Sequence, residues 1–121
     1  MFTANYYVKI FPNKIVARNL STGKSAEVVP TTPYLHPRLL IGNISSVESA
    51  LKSALDTVRS NALLAVRILV HPISDFPGGI SEAEERLFRQ VAYDVRAAFV
   101  VLWVGPELSD EAAREKLKSA K

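Results

Sequence analysis

The chain has 121 residues, 48% of them hydrophobic and 22% charged, with no cysteine and a formal net charge of +3. That length predicts a single domain over residues 1–121 with its own core, and the composition excludes a disordered tail, a collagen-like repeat, a disulfide scaffold and a cysteine nucleophile. No apolar run approaches the roughly 18 residues of a membrane span, and the start of the chain lacks the regions of a signal peptide, so a cytoplasmic protein is expected.

Taken in order, Asn5–Phe11 alternates with period two, Tyr6, Val8 and Ile10 against Tyr7, Lys9 and Phe11, which predicts a strand covered mainly on one side. Pro12-Asn13 breaks it. Lys14–Leu20 reads as a second strand, Ser21-Thr22-Gly23-Lys24 as a turn and Ser25–Val29 as a third strand. Turns this short make neighbouring strands antiparallel, so the chain opens with a three-stranded meander. Pro30–Pro37 holds three prolines and is expected to be a loop.

Ser45-Ser46-Val47-Glu48 has the spacing of a capping box, and Val47, Leu51, Ala54, Leu55 and Val58 share one face, predicting a helix over about residues 46–60. Leu63–Val70 is almost continuously apolar, as in a parallel strand buried on both faces. His71-Pro72 ends it. Ser81-Glu82-Ala83-Glu84 is a second capping box, opening a helix predicted over 82–97. Phe99–Val104 is another apolar strand, and Ser109 caps a final, more polar helix to about Leu117. The order is β-β-β-α-β-α-β-α. With right-handed crossovers it predicts a mixed five-stranded sheet of strand order 3-2-1-4-5, an α/β fold of ribonuclease H-like type.

Several local sequences resemble the actin-like superfamily, in particular the first half of the bacterial rod-shape proteins of the MreB family. The resemblance rests on Ile68-Leu69-Val70-His71-Pro72 followed by Glu84-Glu85-Arg86-Leu87-Phe88, and on Val101-Leu102-Trp103-Val104-Gly105-Pro106 followed by Asp110-Glu111-Ala112-Ala113. It spans roughly residues 5–113 and implies an actin-like half-domain, a bacterial origin and a link to cell shape or the cytoskeleton. The chain departs from that family where phosphate is bound. In place of an Asp-Leu-Gly-Thr loop it has Val8-Lys9-Ile10-Phe11-Pro12-Asn13, without the glycine nest of amides an anion needs and with a proline that has no amide to give. The second half of the actin-like fold has no counterpart. Neither ATP hydrolysis nor a bound nucleotide cofactor is expected. Two-metal nuclease chemistry needs carboxylates on the first strand, which offers Lys9 instead.

The remaining candidates are local. His71, at the end of an apolar strand, with Asp75 as orienter and Ser74 beside it, forms a candidate ligand or hydrolase site. Gly78 and Gly79 precede a helix and form a candidate anion turn, although Glu82, Glu84 and Glu85 oppose an anion there. Tyr6, Tyr7 and Tyr34 make a candidate aromatic contact surface. Leu63 and Leu64 correspond to a membrane-touching loop in the rod-shape proteins, implying at most a weak peripheral contact. Residues 1–47 carry Lys9, Lys14, Arg18, Lys24 and Arg38 against Glu27 alone. Their spacing lacks the density of a nucleic-acid footprint, so nucleic acid is not the expected partner, and a basic nucleic-acid-binding meander stands as an alternative. The leading expectation is a non-catalytic module without cofactor or metal. Its partner would be a protein: a second copy paired through the edge strand Ser25–Val29, or a cell-shape or cytoskeletal protein. The alternative is a small hydrolase centred on His71 and Asp75.

Overall fold

The computed structural model describes residues 3–11, 14–29, 44–59, 65–73 and 80–119. Alternating side chains along Thr3–Ile10 form β1, and β2 (Ile15–Asn19) and β3 (Ser25–Val28) complete the meander. β1 pairs antiparallel with β2, Tyr7 opposite Arg18, and β2 with β3, Ala17 opposite Ala26. After α1 (Ile44–Val58) comes β4 (Ala65–Pro72), parallel to β1 with Lys9 opposite His71. α2 (Glu82–Asp94) leads to β5 (Phe99–Leu102), parallel to β4, and α3 (Asp110–Ser119) follows. The sheet order is β3-β2-β1-β4-β5, as the pattern of elements predicts.

β1 is the middle strand, so both its faces are covered, not one. Ala4, Tyr6, Val8 and Ile10 join the core under α1 and α2, with Leu51, Ala54, Ile68, Val70 and Phe88. Tyr7 belongs to a second, smaller core under α3, with Leu20, Leu69, Ala113 and Leu117. Tyr6 and Tyr7 are each 2% exposed, which corrects their expected place on a contact surface: aromatic residues on a central strand have helices above and below them. Tyr34, Leu63 and Leu64 lie outside the described residues.

Three local expectations are also revised. α1 begins at Ile44, so Ser45 lies inside the helix and Glu48 does not complete a cap; the Glu48 carboxyl instead lies near enough to Asp94 at the end of α2 for each to shift the other's pKa. α2 stops at Asp94, three residues short of the expected 97, because Arg96 and Ala97 turn their amides back onto Tyr93 and Ala92. β5 is a short edge strand with only Val100 fully buried, since nothing among the described residues pairs with its outer side. The second capping box is present as expected: Glu84 N–H donates to Ser81 Oγ at 3.2 Å and Ser81 N–H to Glu84 Oε1 at 2.9 Å.

Asn19 was not anticipated as a structural residue. It is wholly buried, its Nδ2 donating to the Val58 carbonyl at 2.8 Å and its Oδ1 accepting from Ser21 and Thr22 N–H at 2.9 and 3.2 Å. One side chain thus joins the β2–β3 turn to the last turn of α1, where helix carbonyls lack helical partners. Gly23 closes that turn at φ 80, a left-handed conformation open to glycine.

Candidate functional site

The polar residues of the sheet gather on the face beneath α3. This helix buries only Ala113 and Leu117, too little apolar surface to hold it by burial alone. Polar groups supply the rest. Arg18 on β2 donates Nε–H and an Nη2–H to the two carboxylate oxygens of Asp110 at 2.7 and 2.8 Å, a bidentate pair at the first turn of α3, where a carboxylate also complements the helix dipole. The guanidinium holds the Asp110 carboxyl below its ordinary pKa. At the other end, Arg67 on β4 donates to the Leu117 carbonyl. Lys9 meets Glu107 at 3.0 Å, an exposed pair worth at most about 1 kcal/mol.

His71 lies at the centre of this seam and is 1% exposed. Its Nε2 is 2.8 Å from the Gly105 carbonyl and its Nδ1 is 2.7 Å from the Tyr7 hydroxyl, which also contacts Leu108 N–H at 3.1 Å. A carbonyl only accepts, so Nε2 carries a proton, and an amide only donates, so the Tyr7 oxygen accepts from Leu108. In the neutral imidazole that burial favours, Nδ1 then accepts from the Tyr7 hydroxyl, and both ring nitrogens are engaged. Burial pushes the His71 pKa down and the Tyr7 pKa up, both toward these uncharged forms. The rings stack at 5.9 Å with planes 9° apart. Gly105 is required where it stands: a Cβ there would lie 2.8 Å from the Trp103 ring at φ 154, and Trp103 Nε1–H holds the loop by donating to the Pro106 carbonyl at 2.9 Å.

The histidine singled out as a candidate base thus fastens the loop before α3 to the sheet. In this arrangement neither nitrogen presents a free lone pair to a metal or a substrate. Ser74, Asp75, Gly78 and Gly79, its expected neighbours, lie outside the described residues. Among the described residues no three His, Asp or Glu side chains converge as a metal site. The basic meander is largely neutralised: Lys9 pairs with Glu107, Lys14 with Glu27 at 3.3 Å and Arg18 with Asp110. A phosphate backbone would have to compete with carboxylates for these groups.

The sequence signal for the seam lies in parity. Tyr7 and Lys9 on one strand, and Arg67, Leu69 and His71 on another, are odd-numbered positions facing the same side, and the last helix is the polar one.

The other feature exposed to partners is β3. Ala26 and Val28 pack onto the core under α1, whereas Ser25 and Glu27 are exposed and Val29 just beyond is 63% exposed. No strand among the described residues pairs with its outer edge.

The sequence matches no family model and no curated protein.

Proposed function

We propose that this chain is a non-catalytic protein-binding module that works by adding a strand to the outer edge of β3, and that its partner there is a second copy of itself. The single observation that carries the reading is the open edge Ser25–Val28 at one side of the sheet, a row of backbone donors and acceptors suited to strand addition. Engagement of both His71 nitrogens within the fold supports it, since it leaves the strongest catalytic candidate committed to structure.

Two-fold pairing of β3 with its copy gives a closed, isologous contact. A register centred on Ala26 sets Ser25 opposite Glu27 and keeps the two Glu27 carboxylates from facing each other, the arrangement that like charges would oppose. It also carries α1, which covers β2 and β3, to the dimer axis.

The reading extends to kinship. Strand order and the order of elements are those of a ribonuclease H-like sheet, and together with the motifs quoted above they support an actin-like half-domain without a phosphate loop, working in the cytoplasm alongside cell-shape or filament proteins.

Size-exclusion chromatography with light scattering tests the reading. The wild type is expected at twice the chain mass of 13.3 kDa, and a Ser25→Lys/Glu27→Lys variant, which sets like charges across the edge, at the chain mass with an unchanged circular dichroism spectrum. A wild type that stays monomeric at millimolar concentration overturns self-pairing. A monomer that holds a filament protein through the same edge replaces the copy by that partner.

A further inference from the structure

We propose that the cleft between α1 and the end of α2 binds a small organic molecule carrying a phosphate monoester. This site is on the opposite face of the sheet from α3 and away from the β3 edge, and it stands independently of the dimer.

The cleft measures about 370 Å³, within the range of small-molecule pockets. Lys52 reaches it from α1, Arg59 from just past the end of α1 and Arg96 from the turn after α2. Of the two acids in the lining, Asp56 pairs with Arg59 at 3.6 Å and Asp94 accepts from Gln90 Nε2 at 2.6 Å. The side chains of Lys52 and Arg96, by contrast, have no hydrogen-bond or ion-pair partner among the described residues. The lining thus sets three cations against two carboxylates, and Lys52 and Arg96 are the cations that no carboxylate holds, with the Arg96 fork available for two parallel bonds to a phosphate.

Two further observations point to a ligand. Tyr6 is 2% exposed and lines the cleft, yet its hydroxyl has no hydrogen-bond partner among the described residues and is not one of their sealed, unpartnered atoms. It is a buried phenol at the cleft whose hydroxyl keeps some accessible surface and bonds nothing among the described residues. Arg96 has φ 70. It occupies the left-handed position of a helix-ending motif, with Arg96 N–H on the Tyr93 carbonyl at 2.9 Å and Ala97 N–H on Ala92 at 3.3 Å, the place where glycine fits without strain. An arginine there is disfavoured by the backbone and puts a guanidinium at the cleft. Leu55 and Val95 line the same cleft and give an apolar wall for the ester's organic part.

The test is an amide NMR titration of the full chain with phenyl phosphate and, separately, inorganic phosphate. Saturable shifts are expected at Tyr6, Lys52, Arg59 and Arg96, with phenyl phosphate the tighter of the two because the apolar wall has something to cover. Arg96→Gly is the decisive variant. It is expected to raise the melting temperature by relieving the backbone while weakening phenyl phosphate about tenfold, a loss typical of one charge-assisted bidentate contact. Tyr6→Phe is expected to weaken it without changing the fold, and the monomeric Ser25→Lys/Glu27→Lys variant to bind as wild type does. Absence of shifts at millimolar ligand, shifts centred on Lys14 and Lys24 instead, or full affinity in Arg96→Gly would each overturn the proposal.

Discussion

The Tyr7 hydroxyl lies 2.7 Å from His71 Nδ1, a contact between buried side chains 64 residues apart in sequence. Through Leu108 N–H on one side and the Gly105 carbonyl on the other, it joins the two central strands to the loop that delivers α3. Tyr7→Phe keeps the ring and deletes the shared atom, leaving an amide and an imidazole nitrogen unpaired in the interior. The expected cost is about 1–3 kcal/mol, read as a lower urea midpoint with an unchanged slope. Because the lost bonds are those of the α3 attachment, amide exchange should rise first at Leu108–Ala113 and leave β1 and β4 protected.

Acid should destabilise the protein in two stages. Burial holds His71 below its ordinary 6.5, so the unfolded chain takes up a proton there before the folded one does. This contribution is complete above 6.5, declines as pH falls through that value and stops declining below the folded pKa. Asp110, held below its ordinary 3.8 by Arg18, adds a second loss beginning near 3.8. Tyr7, raised above 10.0, gives an alkaline loss that begins as pH rises past 10. Urea midpoints measured across pH should show these stages, and His71→Asn should be less stable at pH 8 and lack the first acid stage.

Glu48 on α1 and Asp94 at the end of α2 shift each other's titration. The Asp94 hydrogen bond raises the Glu48 pKa above 4.5, and the same bond lowers Asp94 below 3.8. The Glu48 contribution is present below 4.5 and lost as pH rises through its folded pKa; that of Asp94 is present above 3.8 and lost as pH falls. Glu48→Gln supplies a permanent donor to Asp94 in place of a proton that dissociates. Its melting temperature should exceed that of the wild type at pH 8, with the difference shrinking toward pH 4.5.

Where one physical rule dominates, the sequence is a sufficient guide. Apolar runs at Ile68–Val70 and Val100–Leu102, short turns around Gly23 and right-handed crossovers leave little choice of topology, and the observed sheet follows them. The Ser81–Glu84 box is equally legible because its two bonds are local. What escaped is long-range polar pairing. Nothing near His71 in sequence identifies Tyr7 and Gly105 as its partners, so a histidine at a strand end reads as a candidate base when it is a fastener. The same holds for Glu48, whose spacing from Ser45 imitates a cap while its real partner is 46 positions away at Asp94. Tyr6 and Tyr7 looked like a surface because alternation shows two faces and not what covers the second. Arg96 has no sequence signal: the left-handed position after a helix usually announces itself by glycine.

Pairing of β3 with a second copy is tested most directly by a disulfide. The chain has no cysteine, so Ala26→Cys introduces a single thiol at the centre of the inferred register, where facing Cα atoms in an antiparallel pair lie about 4.5–5.5 Å apart and within reach of a disulfide. Oxidation at micromolar protein should give a covalent dimer nearly completely and far faster than the same treatment of Arg86→Cys on the exposed face of α2. Equal, slow cross-linking of the two variants would contradict the interface.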